Sequence, residues 1–160
     1  QGIEMRAASR LREQFGDRAR VIVTSYNRRV LLTGEVPSEA DRATANRLVA
    51  GVENVREIVD ELGVQSSPSF TARSSDSLVT ARVKAALLDA RDLSANAFKV
   101  VTERGTTYLM GRVTAREADR ATDVTRSISG VQRVVRVFEL ISEEELTRIT
   151  PAPANGGTAR

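Results

Sequence analysis

Side chains able to do acid, base or nucleophilic chemistry are scarce in this sequence. Its 160 residues contain no histidine and no cysteine, which excludes histidine bases, thiol nucleophiles, disulfides and Cys/His zinc sites. Two acidic candidates remain: Glu143-Glu144-Glu145 as a cation site, and Asp119 with Asp123 one helical turn apart. Three successive glutamates are more typical of a solvated helix end, and the two aspartates have no third catalytic partner. We therefore predict no enzyme, no cofactor and no metal site.

Residues 76–91 indicate a binding surface rather than a catalytic site. Successive side chains of a helix rotate by about 100°, so residues can be placed on a wheel with Leu78 at zero. The arc from about 80° to 180° carries the predicted core face, which consists of Val79, Val83, Ala86, Leu87 and Ala90. A second apolar strip lies between about 280° and 0°, and it consists of Leu88, Ala81, Ala85 and Leu78. Arg82, Lys84 and Arg91 lie on its margins.

The sequence also repeats itself. Ala40-Asp41-Arg42-Ala43-Thr44 recurs at 118–122, and Gly51-Val52-Glu53-Asn54-Val55 is echoed at 130–134. Upstream of both, an apolar stretch that ends at Gly34 is matched by one that ends at Gly111. Three matches in the same order indicate an internal duplication.

Each copy has the pattern helix, strand, strand, helix, strand. Hairpin turns are predicted at Asn27 and Gly105, residue types that readily take a positive φ. A second helix then ends at Gly51 or Gly130 and is followed by a β-branched strand. The predicted fold is α+β, in which each copy forms a three-stranded mixed sheet packed on two helices. We predict domains at 1–64 and 76–142, a Ser/Pro linker at 65–75, and an acidic helix end with a disordered Pro/Gly tail at 143–160.

The two copies differ in charge and in their first helices. Residues 1–64 hold ten basic and ten acidic side chains, whereas residues 76–138 hold eleven basic and seven acidic ones, a net charge of +4. In the first copy the arc opposite the core face is polar and consists of Arg6, Ser9, Arg10 and Glu13. Only the second copy combines spare apolar surface with positive charge, as binding to an anionic bilayer requires.

Short motifs in both copies resemble the BON domain. They are V-x-V-T before the hairpin of the first copy, V-L-L-x-G or Y-L-M-G-x-V-T in the returning strand, and an alanine-rich helix that ends in G-V-x-x-V. Two such copies in tandem resemble the dual BON-domain lipoproteins of the Gram-negative outer membrane, and residues 101–114 are especially similar to that group. The resemblance covers about residues 3–141.

The resemblance implies a protein on the periplasmic side of the outer membrane, anchored through a lipidated cysteine upstream of Gln1. It also implies a role in envelope integrity and binding of anionic phospholipids through the first helix of the second domain. The candidate lipid-binding residues are Leu78, Arg82, Val83, Lys84, Leu88 and Arg91. The group commonly has a tryptophan where this sequence has Leu78, which lacks the interfacial preference of an indole. We therefore expect weaker membrane binding.

The sequence leaves open alternative roles for the second apolar strip and for the protein. Leu78 and Leu88 either face lipid or pack against the other domain. The same face could instead bind a protein of an outer-membrane assembly complex. A nucleic-acid binder built on the sheet would need aromatic residues there, and Tyr108 and Phe138 are too few. We expect a monomer that binds anionic phospholipids and no nucleic acid.

Overall fold

The computed structural model describes residues 2–65 and 70–149. The first copy comprises α1 (Gly2–Phe15), β1 (Arg20–Tyr26), β2 (Arg29–Val36), α2 (Glu39–Ala50), β3 (Glu57–Asp60) and β4 (Gly63–Val64). The second comprises α3 (Phe70–Asp89), β5 (Lys99–Glu103), β6 (Thr106–Val113), α4 (Ala115–Arg126) and β7 (Arg133–Leu140), and α5 (Glu143–Ile149) follows it. The predicted order of helices and strands is confirmed in both copies, with the short β4 added in the first.

The two sheets have the same topology. The central strands β2 and β6 each pair antiparallel with the preceding strand and parallel with the strand that closes the copy. The short β4 also pairs with β2. Both hairpin turns contain two successive residues with positive φ, Asn27 with Arg28 and Arg104 with Gly105. Such turns match the twist of antiparallel strands, so the prediction of positive φ at Asn27 and Gly105 is confirmed.

The first helix of the second copy begins earlier than predicted. The predicted Ser/Pro linker extended to residue 75, but α3 begins at Phe70. Neither glycine nor proline interrupts the chain between Phe70 and Asp89, and serine is only mildly unfavourable inside a helix. Residues 66–69 of the predicted linker and residues 150–160 of the predicted tail lie outside the described residues.

One face of each sheet packs against the two long helices of its own copy. In the first copy, Val30, Leu32 and Val36 of β2 join residues of α1 and α2 in one core. In the second copy, Leu109 and Val113 of β6 join residues of α3 and α4. Successive side chains along a strand point to opposite faces of the sheet, so the immediate neighbours of these residues lie on the other face.

The opposite faces of the two sheets pack against each other. Leu31 of the first sheet forms a third apolar cluster with Tyr108, Met110 and Val137 of the second. The molecule therefore has four layers, helices, sheet, sheet and helices. Both pairs of long helices are on the outside, and the sheets form the contact between the domains.

Charged side chains surround this apolar contact. Arg20 binds both Glu35 of its own domain and Glu103 of the other, and all three side chains are buried or nearly so. On another part of the interface, Lys99 Nζ lies 2.7 Å from Glu4 Oε2. Arg56 Nη2 lies 3.0 Å from Glu139 Oε1. Buried charges require such partners, so the Arg20 group helps to fix the register of one sheet on the other, while the Lys99 and Arg56 pairs are more exposed.

Candidate functional site

The helix α3 is held on the second sheet by the face that its sequence predicts. Val79, Val83, Leu87 and Ala90 are buried in the core of the second copy. Ala86 is half-buried at the edge of that face. The core side of α3 is therefore confirmed, and the orientation of the helix is fixed by residues four apart in sequence.

The second apolar strip of α3 faces away from the protein. Leu78 is 52% exposed and Leu88 is 72% exposed. Ala81 and Ala85, between them on the wheel, are exposed as well. The alternative that Leu78 and Leu88 pack against the other domain is wrong, because the two sheets form that contact and α3 lies in an outer layer.

Three basic residues accompany the strip. Arg82, Lys84 and Arg91 are all exposed, and Arg82 Nη1 donates a hydrogen bond of 3.5 Å to the carbonyl oxygen of Ser129. Among the residues that the structure describes, no carboxylate lies within 4.0 Å of these three side chains. Their charges are thus available to an external anion.

Val83 is the one predicted lipid-binding residue that the structure excludes from the surface. Its side chain is fully buried in the core of the second copy. It lies four residues after Val79 and four before Leu87, which are also buried, so it belongs to the core face of α3. The prediction that Val83 contacts lipid is therefore wrong.

The corresponding helix of the first copy is less polar outside than its sequence suggested. Arg6, Ser9, Arg10 and Glu13 are exposed as expected, but Met5 is exposed as well, at 71%. The prediction of an entirely polar exterior for α1 is wrong at this position. A single methionine beside Arg6 is a smaller apolar surface than the two leucines and two alanines of α3.

Two features of the site were not found in the sequence. The first is Asp76, whose carboxylate accepts hydrogen bonds from the backbone N–H groups of Arg104 at 2.7 Å and Gly105 at 3.1 Å. It therefore ties α3 to the hairpin turn of its own sheet. No local sequence signal predicts this contact, which spans about 28 residues of chain.

The second feature is a cleft of about 570 Å³ beyond the end of α3. It is lined by Arg91 and Leu93, by Arg112 and Arg116 of the second domain, and by Tyr26 of the first. The arginines come from three separate segments, so only the tertiary structure brings them together. Arg91 belongs both to this cleft and to the basic residues beside the apolar strip of α3, so the two surfaces adjoin.

Two classes of site are not seen in the described part of the chain. No group of three or more acidic side chains is placed to hold a metal ion there. No helix within residues 2–65 and 70–149 is long and apolar enough to cross a membrane.

Comparison with known proteins identifies the class to which this architecture belongs. The BON-domain family model matches residues 4–66 and residues 75–141. These ranges contain the two copies of the helix, strand, strand, helix, strand unit. The chain belongs to the BON-domain family and carries two BON domains in tandem.

Three curated relatives are similar to this chain. The outer membrane lipoprotein DolP of Haemophilus influenzae is 40% identical over 128 residues, which are 80% of this chain and 66% of that protein. The 21 kDa hemolysin of Actinobacillus pleuropneumoniae is 34% identical over the same shares of both chains. The osmotically-inducible protein Y of Escherichia coli is 31% identical over 66% of this chain and 54% of its own length. The chain thus spans just under two thirds of the first two relatives.

Proposed function

We propose that this protein is a non-enzymatic component of the bacterial envelope that binds anionic phospholipid membranes through the exposed face of α3. It acts as a monomer on the periplasmic side of the outer membrane and supports the integrity of that membrane. The location is proposed by analogy with the name of the Haemophilus influenzae relative, an outer membrane lipoprotein.

The observation that supports the proposal most is that exposed leucines of α3 lie beside basic side chains of the same helix and of the turn that follows it. Leu78 and Leu88 are exposed, while Arg82, Lys84 and Arg91 lie beside them without a carboxylate partner among the described residues. An interfacial helix needs this combination, because apolar side chains enter the headgroup boundary while cations attract anionic lipid. The opposite face of α3 is fixed in the core, so the helix presents the face without rearranging.

The size of the surface indicates a reversible contact. Each basic residue near an anionic bilayer contributes about 1 kcal/mol, and each buried CH₂ group contributes about 0.8 kcal/mol. Two leucines and three cations therefore supply at most about 9 kcal/mol if both leucines insert fully, which is enough for transient docking. Stable attachment takes a second signal.

Co-sedimentation with lipid vesicles tests the proposal. We expect the wild-type protein to pellet with vesicles that contain phosphatidylglycerol and not with neutral phosphatidylcholine vesicles. Leu78→Glu or Leu88→Glu removes an apolar contact and adds a negative charge, so each should weaken binding roughly tenfold or more. Both positions are exposed, so both variants should remain folded.

Met5→Glu provides the matched control, because Met5 is exposed on the corresponding helix of the first domain. It introduces the same charge and should leave binding within about twofold. An equal loss in Met5→Glu would show that the α3 face is not the binding site. Absence of pelleting by the folded wild-type protein would overturn the proposal and favour a protein-binding adaptor that uses the same face.

A further inference from the structure

The cleft beside α3 is partly occupied by a segment of the chain itself. Leu146 and Ile149 of α5 line it together with the arginines. Glu145 Oε2 lies 2.7 Å from Arg112 Nη2, and Glu143 Oε2 lies 3.5 Å from Arg116 Nε. Carboxylates of α5 thus occupy the positions in which an external anion would meet these guanidinium groups.

The attachment of α5 to the rest of the protein is weak. None of its seven residues is buried, and Ile149 remains about half exposed. The Glu143 pair is exposed on both sides, and such surface pairs contribute about 0.2–1 kcal/mol. Segments with little buried apolar area open at low cost in free energy, so α5 can leave the cleft without disturbing either core.

The charge of α5 opposes that of the domain it covers. Residues 76–142 hold eleven basic and eight acidic side chains, a net charge of +3. Residues 143–149 add three glutamates and one arginine, a net charge of −2. The charge of α5 therefore offsets most of the net positive charge of the second domain. The helix lies near the end of α3, where Arg91 belongs to both the cleft and the proposed lipid face.

We propose that α5 is an acidic strap that closes an anion-binding cleft formed by Arg91, Arg112 and Arg116, and that phospholipid phosphate groups displace it. This inference rests on the proposed function, because it describes how the same membrane contact is regulated. When α5 is in place, Arg112 and Arg116 are neutralised and membrane binding relies on the α3 face. When α5 leaves, Arg116 loses the carboxylate of Glu143, and Arg112 loses that of Glu145 and keeps only Glu139 Oε2, 3.4 Å from its Nε atom. Both guanidinium groups then offer more positive charge to lipid headgroups.

The test compares two double variants of the full chain that change net charge equally. Glu143→Gln with Glu145→Gln removes both carboxylates that contact the cleft. Glu13→Gln with Glu144→Gln is the control, because these two glutamates are exposed and form no ion pair within the described residues. At about 1 kcal/mol per freed arginine, the first variant should bind phosphatidylglycerol vesicles roughly tenfold more tightly. The control should change binding about twofold or less.

Backbone hydrogen exchange of residues 143–149 gives a second readout. In the wild-type protein, phosphatidylglycerol vesicles should speed this exchange, whereas phosphatidylcholine vesicles should not. If all proteins pellet equally with anionic vesicles and the exchange of α5 is unchanged, the strap is overturned while the membrane function stands. If no protein pellets, including the variant without the two carboxylates, the membrane function and the strap both fail. Binding by that variant alone would support the strap and would overturn membrane binding through the α3 face of the wild-type protein.

Discussion

Leu87 and Leu88 are neighbours on α3, yet they have opposite roles. Leu87 is 1% exposed in the core of the second domain, whereas Leu88 points away from it. One residue of sequence corresponds to about 100° of rotation, enough to move a side chain from core to surface. The pair therefore allows the stability of the core and the proposed membrane contact to be tested separately.

We expect Leu87→Ala to lower the free energy of unfolding by about 2–5 kcal/mol, because it leaves a cavity in the core. Leu88→Ala should change that free energy by about 0.5 kcal/mol or less and should act on vesicle binding. Chemical denaturation monitored by circular dichroism measures both. A large loss of stability in Leu88→Ala would show that this side chain packs within the protein.

The two glycines of the repeated motifs also have a physical reason. Gly34 and Gly111 have positive φ angles of 104° and 155°. A Cβ atom at Gly34 would collide with the carbonyl oxygen of Arg20, and one at Gly111 with that of Ala97. Both pairs are 14 residues apart in sequence, so the same close approach of backbone occurs in each copy. This explains why the V-L-L-x-G and Y-L-M-G motifs contain glycine.

At the scale of the secondary-structure element, α3 depends on its tie to the β5–β6 turn. The carboxylate of Asp76 is buried and accepts hydrogen bonds from two backbone N–H groups of that turn. Without this acceptor, both donors would lose their partner inside the protein. The tie holds the part of α3 that carries Leu78, so it also affects the proposed membrane face.

We expect Asp76→Ala to reduce the free energy of unfolding by about 1–3 kcal/mol, because buried donors would be left without partners. The backbone amides of Arg104 and Gly105 should also exchange with solvent faster. Asp89→Ala is the control on the same helix, since Asp89 is exposed, and it should leave both quantities nearly unchanged. Protected amides at Arg104 and Gly105 in Asp76→Ala would contradict this role.

At the scale of the whole molecule, two carboxylates link the domains with a lowered pKa. Partial burial raises the pKa of Glu4, but hydrogen bonds from Lys99 and from the Ser25 N–H, with the charge of Lys99, outweigh it and leave the pKa below 4.5. Burial likewise raises the pKa of Glu139. Hydrogen bonds from Asn27 and Arg56 and nearby arginine charges outweigh that effect and lower its pKa.

These lowered pKa values determine how stability depends on pH. A carboxylate with a lower pKa in the folded than in the unfolded state stabilises the fold above its unfolded value, near 4.5, and loses that effect as pH falls through the folded value. We expect stability to drop below about pH 4.5, with a flatter dependence in Glu4→Gln with Glu139→Gln. Urea denaturation between pH 7 and pH 3 measures this. An identical pH dependence in that double variant would contradict the prediction.

Much of the fold follows from local patterns. The 3.6-residue period of Val79, Val83 and Leu87 and the turn residues Asn27 and Gly105 depend on neighbours in sequence. They therefore predict the order of helices and strands and the core side of α3. The duplication then predicts two copies of one unit. The predicted start of α3 was wrong because serine residues occur both in linkers and in helices. Only the packing of the chain decides which of the two structures a serine-rich segment adopts.

Local patterns in the chain were enough to predict the repeat, the helices and strands, their core faces and the apolar strip of Leu78 and Leu88. Only the tertiary structure decided that the sheets, rather than the helices, join the two domains, which leaves that strip exposed and buries Val83. It also brought Arg91, Arg112 and Arg116 together under α5. The physical reason is that helix periodicity reports the near environment of a residue, whereas contacts between distant segments depend on how whole layers pack.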